Sequence, residues 1–476
     1  MSYDAVIIGA GPAGIFAAAE LVKSGKKVLI IDKGRLIKER VCPILAGKVK
    51  ACVNCNSCAV VSGWGGAGSA SDGKLTLTTG FGGNLEEYIG REELENLIKY
   101  VDDKFVEFGA DPNFYEADGK LAREIICSGA KAGLRVIPAK IRHIGTDASR
   151  EVLNNMYEDL NSKCDILMNT QVKDILIEDK VAPVRGDVPT GQRGVACGVI
   201  LDNGEIIKAD KILASPGREG AAWLEQVVNK LNLKIASMPV DIGVRVEVPD
   251  SVCEVLTREF YEVKTLYNTK TFDDRCRTFC MNPSGFVVSE FNKSHNLVTV
   301  NGHSLKNKKS NNTNFAVLVT KNFTQPFNDP IGYATHIAKL ANMLAGGGIL
   351  VQRLADLRAG RRSNAARISR GMVTPTLAAE AGDLSLVLPH RYVIDIIEFL
   401  DALNEILPGV NHGDTLLYGV EIKLYSLRLE LQNNLAVPSI KNLYMAGDGA
   451  GVSRGIIQAA ASGVVAARAM ARDIKA

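Results

Sequence analysis

Long apolar stretches are what this sequence most clearly lacks. No run of about 18 consecutive apolar residues occurs, so no membrane-spanning helix is expected. The one extended apolar stretch, Ala5–Leu21, is interrupted by glycine, proline and turn-forming residues, and reads as neither an export signal nor an anchor. No secretory leader precedes the first expected strand, which begins at Tyr3; a cytoplasmic protein is therefore expected. An excess of charge of one sign is also missing. Lys and Arg number 56 against 53 Asp and Glu, and the resulting +3 argues for no particular partner. A nucleic-acid binder needs a concentrated basic face, which composition alone does not show. Aromatic residues are few, at 6%, in an otherwise ordinary globular composition. The ten cysteines, with no leader before them, point away from a disulfide scaffold and towards thiol, metal or redox chemistry. At 476 residues the chain exceeds one simple core and implies at least two domains.

What the chain does contain is concentrated at its beginning. Tyr3–Ile8 is a short apolar run suited to a buried parallel strand, and Gly9, Gly11 and Gly14 follow in the G-x-G-x-x-G spacing. A helix pattern runs from Pro12 to Ser24, and a second strand, Lys27–Ile31, ends on Asp32. Gly9 permits the tight turn, Gly11 lets a pyrophosphate approach the backbone, and Gly14, beside Ala13, allows close helix–strand packing. The helix start offers free N–H groups and a positive dipole end. Asp32 falls where a carboxylate accepts hydrogen bonds from an adenosine ribose, and it would repel a 2′-phosphate. A dinucleotide site follows, with Lys33 just beyond it and NADP a poor fit.

Next comes an unusual cysteine run. Cys42, Cys52, Cys55 and Cys58 fall within seventeen residues, spaced C-x9-C-x2-C-x2-C, with Pro43 after the first. Three readings stand side by side: a 4Fe–4S cluster, whose ligands converge through such spacing; a redox dithiol exchanging electrons with a flavin; and a zinc site or plain thiols. Directly behind lies SGWGGAGSASDGKL, with Gly63, Gly65, Gly66, Gly68 and Gly73 in eleven residues. So many glycines suit a backbone passing close to a flat ligand. If the ligand is FAD, that end is the isoalloxazine, with Asp72 and Lys74 within reach.

Glu92–Phe108 has helical apolar spacing and reads as core. In RVIPAKIRHIGTD, the cations Arg135, Lys140, Arg142 and His143 cluster around an extended IPAKI. They are candidates for holding an anionic substrate group, with His143 delivering a proton. Strands dominate from Asp165; Val181–Gly194 reads as an exposed hairpin tip, and Lys211–Gly217 as an apolar strand ending in small residues at a cofactor. Asp241–Pro249 alternates, with Arg245 pointing opposite to its valine neighbours. Arg353, Arg358, Arg361, Arg362 and Arg367 form a stretch that either is solvated or grips phosphates. At the end, strand Leu443–Ala446 runs into Gly447 and Asp448, then a glycine-rich turn and an alanine-rich helix opening at Gly455 and Ile456. Asp448 can accept from a ribityl hydroxyl, and the helix start can approach the flavin's pyrimidine edge.

The chain resembles the two-dinucleotide-fold flavoproteins, the glutathione-reductase-like FAD superfamily. The matching parts are GAGPAG at Gly9–Gly14 with Asp32, ASPG at Ala214–Gly217, and YMAGDGAG at Tyr444–Gly451. More closely, it resembles an uncharacterised FAD-dependent dehydrogenase family of anaerobic bacteria, related to geranylgeranyl reductases and fumarate-reductase-type flavoproteins. The segments shared with it include RHIGTD, DIGVRVE, FCMNPSGFVV and GDGAGVSRGIIQAAASG. The resemblance implies FAD in place of NAD, and no particular substrate. No second G-x-G-x-x-G follows in mid-chain, so a dedicated NAD(P)H domain is missing and a disulfide reductase is not expected.

The expectation is an α/β protein: a Rossmann-like FAD/NAD(P)-binding domain from residues 1–236 and 366–476, and a mixed-sheet substrate domain, 237–365. FAD binding falls to Gly9, Gly11, Ala13, Gly14, Asp32, Lys33, Gly65, Gly66, Lys74, Gly217, Gly447, Asp448, Gly455 and Ile456. Arg135, Arg142, His143 and Arg245 are the catalytic candidates. The expected reaction is hydride transfer between flavin N5 and a small organic substrate, with reduction of a polarised C=C bond. Electrons come from NAD(P)H or through the cysteine group, which makes a redox partner a further candidate. The alternative is a flavin-dependent RNA-modifying enzyme using the arginine stretch; no membrane partner is expected.

Overall fold

The computed structural model describes residues 2–474 apart from 44, 45, 47, 49–52, 54, 71, 72, 180–192, 237, 238, 261, 262, 293–295, 305–307, 325, 328 and 424–426. Cys52, Asp72 and most of the expected hairpin tip at Val181–Gly194 lie outside the described residues. The chain divides into two units: Met1–Tyr115 with Lys140–Ala236 and Ser426–Ala476, and Glu116–Ala139 with Ser237–Tyr425.

In the first unit, runs such as Ala5–Ile8 and Val28–Ile31 carry apolar side chains on both faces, as a strand covered from both sides requires. Ser2–Ile8 pairs in parallel with Val28–Ile31 and with Ile206–Ala214. Asp165–Leu167 extends the sheet in parallel beyond the first of these, and Leu443–Met445 beyond the second. Val172–Asp179 and Gly194–Leu201 extend it in antiparallel pairing, and Ile440–Lys441 lies parallel to the latter. Two helices cross against each other on this sheet's cover, Pro12–Lys23 and Ile456–Asp473. A Cβ at Gly463 would overlap the carbonyl oxygen of Ala13, so only glycine lets the helices meet backbone to backbone. Helix Arg91–Glu107 buries Leu94, Leu97, Ile98, Val101 and Phe105, the face its spacing predicts.

The second unit is built on an eight-stranded mixed sheet. Its long central strand, Val240–Pro249, pairs antiparallel with Asn312–Lys321 on one side and Leu416–Lys423 on the other. Ile242, Val244, Val246 and Val248 enter a core shared with helices Asp250–Glu259, Pro330–Leu344 and His390–Leu403. Asp241, Arg245 and Glu247 alternate with them and are buried on the opposite face.

The units depart from the expected boundaries. The second does not end at 365: Leu416–Lys423 inserts between Leu350–Arg353 and the central strand, and carries the unit to Tyr425. It also takes in Glu116–Ala139, whose strand Arg135–Pro138 pairs with Val263–Asn268 at the sheet edge. Non-local pairing of this kind leaves no periodic mark in either partner strand.

Candidate functional site

The site of the first unit is built on the turn after its first strand. Gly9 has φ 101°, and a Cβ there would overlap the carbonyl oxygen of Ser215. Gly14 lies against Gly9 so closely that a side chain would overlap that residue's carbonyl. Helix Pro12–Lys23 opens behind them with Pro in its first turn and no side-chain cap, leaving its first N–H groups for a ligand. At the end of the second strand Asp32 is oriented by two backbone donors. Ala10 N–H donates to Oδ2 at 2.8 Å and Gly34 N–H to Oδ1 at 2.7 Å. Each oxygen keeps a lone pair for a ribose hydroxyl. Lys33, next to it, is paired with Glu219 at 3.6 Å.

The glycine-rich segment comes directly to this turn. Gly65 N–H donates to Ala10 O at 2.8 Å, and a Cβ at Gly66 would stand 3.1 Å from the Cα of Gly11. Gly68 faces Ile456, the first residue of the last helix. Gly9–Gly14, Gly63–Gly68 and the start of helix Ile456–Asp473 thus converge. Gly455 enters that helix at φ 96°, and again no side chain caps it. Asp448 accepts from Ser453 Oγ at 2.9 Å and lies 4.0 Å from Arg218. Burial raises its carboxyl above the ordinary range, opposed by Arg218, Ser453 and the Gly455 N–H. Gly447 N–H donates to Ser462 Oγ at 2.9 Å, and Gly217, at φ 62°, packs on Gly449.

Two features here escaped the sequence reading. Arg40 is buried, and its guanidinium donates to four carbonyls: Ala59 at 2.9 Å, Val60 at 2.8 Å, Trp64 at 2.7 Å and Gly66 at 2.8 Å. Burial pushes it down to about 10, against the pull of Asp32. Trp64 anchors the same segment, donating from its indole to Leu153 O at 2.7 Å with no exposed surface. The second is Phe81–Asn84, strapped along Val452–Gln458. Arg454 N–H donates to Gly82 O at 2.7 Å and Asn84 N–H to Val452 O at 2.9 Å. Gly82 and Gly83 hold φ values of 122° and 137° there. A lone Trp among glycines and a paired glycine were the available signals; Arg40 offered none.

These residues fit an adenine dinucleotide of the FAD type. Two uncapped helix starts face the glycine segment, a carboxylate is preset at the second strand's end, and positions where any Cβ would intrude are glycines.

The catalytic candidates fare differently. Arg142 is buried, forks onto Asp102 at 2.6 and 2.7 Å, and donates to the carbonyls of Asp111 and Asn113. Its donors are taken up in fastening the chain, which corrects its reading as a substrate group. Arg245 has no exposed surface and binds Asn314 at 2.9 Å, Cys280 O at 2.7 Å and Glu421 at 3.3 Å. It too is a buried structural cation. Arg135 is exposed and belongs to the second unit, whereas Arg142 and His143 belong to the first. The basic cluster seen in sequence is therefore split at Ala139/Lys140. His143 is half-buried and stands directly opposite Lys74 in the antiparallel pair Lys74–Thr76 with Ile141–His143.

Cys42, Cys55 and Cys58 carry free thiols. Among the described residues no three His, Cys, Asp or Glu side chains are grouped to hold a metal. The arginine stretch is internally paired. Asp356, with no exposed surface, collects Arg361 at 2.7 Å, Arg367 at 3.6 Å and Arg353 at 3.8 Å, while Arg362 pairs with Glu380 and Arg358 with Asp401. No helix among the described residues is long and apolar enough to cross a membrane.

Comparison with known proteins matches residues 239–424 to the family "FAD-dependent protein, C-terminal domain-like". Residues 7–37 match the NAD(P)-binding Rossmann-like domain, and 398–476 match glucose inhibited division protein A. A Clostridium beijerinckii protein described as uncharacterized is 26% identical, over 96% of this chain and 79% of its own length. Among solved structures, glycine oxidase from Bacillus cereus aligns at 15% identity and TM-score 0.36, covering 98% of this chain and 94% of that one. A geranylgeranyl bacteriochlorophyll reductase-like protein from Thermoplasma acidophilum aligns at 12% and 0.34, covering 99% and 79%.

Proposed function

We propose, from the FAD-dependent protein model matched by residues 239–424 and the Rossmann-like model matched by residues 7–37, that the chain is an FAD-dependent oxidoreductase that transfers a hydride between flavin N5 and a small organic substrate, reducing a polarised C=C bond. The observation that carries the cofactor part is the meeting of Gly9–Gly14, Gly63–Gly68 and the start of helix Ile456–Asp473. FAD, when bound, supplies the hydride chemistry; the protein supplies placement, protons and charge.

The helix start at Pro12 and the backbone around Gly11 would hold the pyrophosphate, and Asp32 would accept from the ribose. Asp448 would accept from a ribityl hydroxyl, and the uncapped start of helix Ile456–Asp473 would favour negative charge on the reduced flavin. Reducing a C=C bond takes one proton beside each hydride. We assign its delivery to the half-buried His143, with the Lys74 side chain opposite it in register favouring an anionic partner nearby. Electrons are assigned to transiently bound NAD(P)H. A second route through Cys42, Cys52, Cys55 and Cys58 is supported by the C-x2-C-x2-C spacing alone.

Protein purified without oxygen is the material for the test. It should be yellow, release FAD on denaturation, and after chemical reduction regain its flavin band on mixing with an α,β-unsaturated acid. Recovery with imines but never with unsaturated acids would remove the C=C reading and leave the flavoenzyme assignment standing. Iron and sulfide analysis of the same sample decides the cysteine route, and absence of both sinks the cluster.

A further inference from the structure

The helical cover of the first unit contains a cleft that the dinucleotide cradle does not use. Its volume is about 420 Å³, within the range of small-molecule pockets. Helix Pro12–Lys23 lines it with Ile15, Phe16, Ala19, Val22 and Lys23, the i, i+1, i+4, i+7, i+8 stripe of one helix face. Helices Arg91–Glu107 and Thr146–Asn161 supply the other walls. The floor is apolar. Ile15, Phe16, Met156 and Leu160 are buried there, and the ring of Phe105 backs that of Phe16 at 5.6 Å. Met156 adds a flexible thioether that adapts to the shape of a chain laid on it. Ala19, exposed, contributes only a methyl group to the lining.

The charges in the lining leave one cation over. Lys104 is paired with Glu107 at 2.6 Å and Lys163 with Asp159 at 2.5 Å. Lys23 has no such partner. Its ammonium lies 6.0 Å from the centre of the Tyr100 ring, and no carboxylate pairs with it among the described residues. Glu20, on the same helix, is taken up by the Tyr100 hydroxyl and by Arg468 at 2.8 Å. The polar groups around the cleft are therefore satisfied within the protein, except for the ammonium at the end of the apolar stripe.

An apolar floor ending at an unpaired ammonium is complementary to a molecule with a hydrocarbon body and one anionic end. We propose that this cleft binds a free medium-chain fatty acid, with its chain over Phe16, Met156 and Leu160 and its carboxylate at Lys23. Burial of the chain supplies the affinity, and the Lys23 pair sets which way round the molecule lies. No residue of the glycine turn lines the cleft, so the site stands independently of the reaction proposed above.

Isothermal titration of the FAD-loaded protein with hexanoate, octanoate and decanoate, each below its micellar concentration, tests the site without turnover. Decanoate should bind at one site per chain, with affinity rising roughly fourfold per methylene along the series. Ala19→Trp, which fills the cleft, should abolish that binding. Lys23→Gln should weaken it about two- to fivefold, and decyltrimethylammonium should bind more weakly than decanoate by at least that factor. If Ala19→Trp fails to fold, Lys23→Gln and Lys23→Glu, judged folded by circular dichroism and melting temperature, decide the matter, with the larger loss expected in Lys23→Glu. Absence of saturable decanoate binding, full binding in Ala19→Trp, or equal binding of the two head groups would each overturn the proposal. So would binding to phosphatidylglycerol vesicles that decanoate fails to displace, which assigns the cleft to a membrane surface. A dimer that Ala19→Trp converts to a monomer would assign it to a second copy of the chain and overturn the proposal likewise.

Discussion

Arg40 donates to the carbonyl of Gly66 at 2.8 Å, and Gly66 in turn packs on Gly11 of the dinucleotide turn. One buried guanidinium therefore sets the distance between the glycine segment and the cofactor cradle. Arg40→Met should leave four carbonyls without their donor and cost on the order of 3 kcal/mol or more. FAD retention after gel filtration should fall with it, and Arg40→Lys should restore part of both. Wild-type retention in Arg40→Met would refute the role.

Gly463→Ala should be costly out of proportion to one methyl group. The added carbon must displace the Ala13 backbone, not a side chain that can swing away. We expect a loss of about 2–3 kcal/mol, read as a lower urea midpoint at unchanged slope. Gly25→Ala, at a position with open space, is a comparison bearing only the cost of its positive φ.

Arg142 and His143 are adjacent yet should respond oppositely. Arg142→Ala strands the Asp102 carboxylate and should destabilise by about 3–5 kcal/mol, as breaking a buried pair does. His143→Gln should leave the thermal midpoint within about 2 °C while lowering turnover at least about tenfold. The paired measurement is melting temperature beside kcat; a His143→Gln enzyme of full activity ends its assignment.

Lys321 gives a pH signature. Burial pushes its ammonium down to about 8 from an ordinary 10.5, against the pull of Asp395. Between those values the unfolded chain binds the extra proton, so this group makes stability rise with pH from about 8 to 10.5. Lys321→Met should abolish that rise. Subtracting the two stability profiles isolates it from the buried thiols, Cys253 and Cys276, which titrate the other way because burial raises them.

The arginine stretch should not bind RNA. Its five arginines face four carboxylates, Asp356, Asp414, Glu380 and Asp401, so little unneutralised charge is left for phosphates. Retention of RNA on a filter at low salt, lost steeply on adding salt, would contradict this.

The cradle was legible because its chemistry is local. Gly9, Gly11, Gly14 and Asp32 sit within one strand–helix–strand unit, and Gly447–Ile456 within one strand–turn–helix. Arg142 and Arg245 were misjudged for a common reason. A sequence shows a cation but not the acid brought to it from Asp102 or Glu421 by distant pairing. The strand Leu416–Lys423 was assigned to the wrong unit for the same reason: its apolar pattern suits any covered sheet, and only its register with Val240–Pro249 decides which.

The backbone contact between Ala13 and Gly463 fixes an order of events during synthesis. The cradle's second half, from Leu443 to Asp473, is made long after its first, so the early strand–helix unit must wait with its small-residue face exposed. Ribosome-arrested chains ending before Leu443 should take up no FAD, and the cell's flavin supply can act on this protein only once that late helix has emerged.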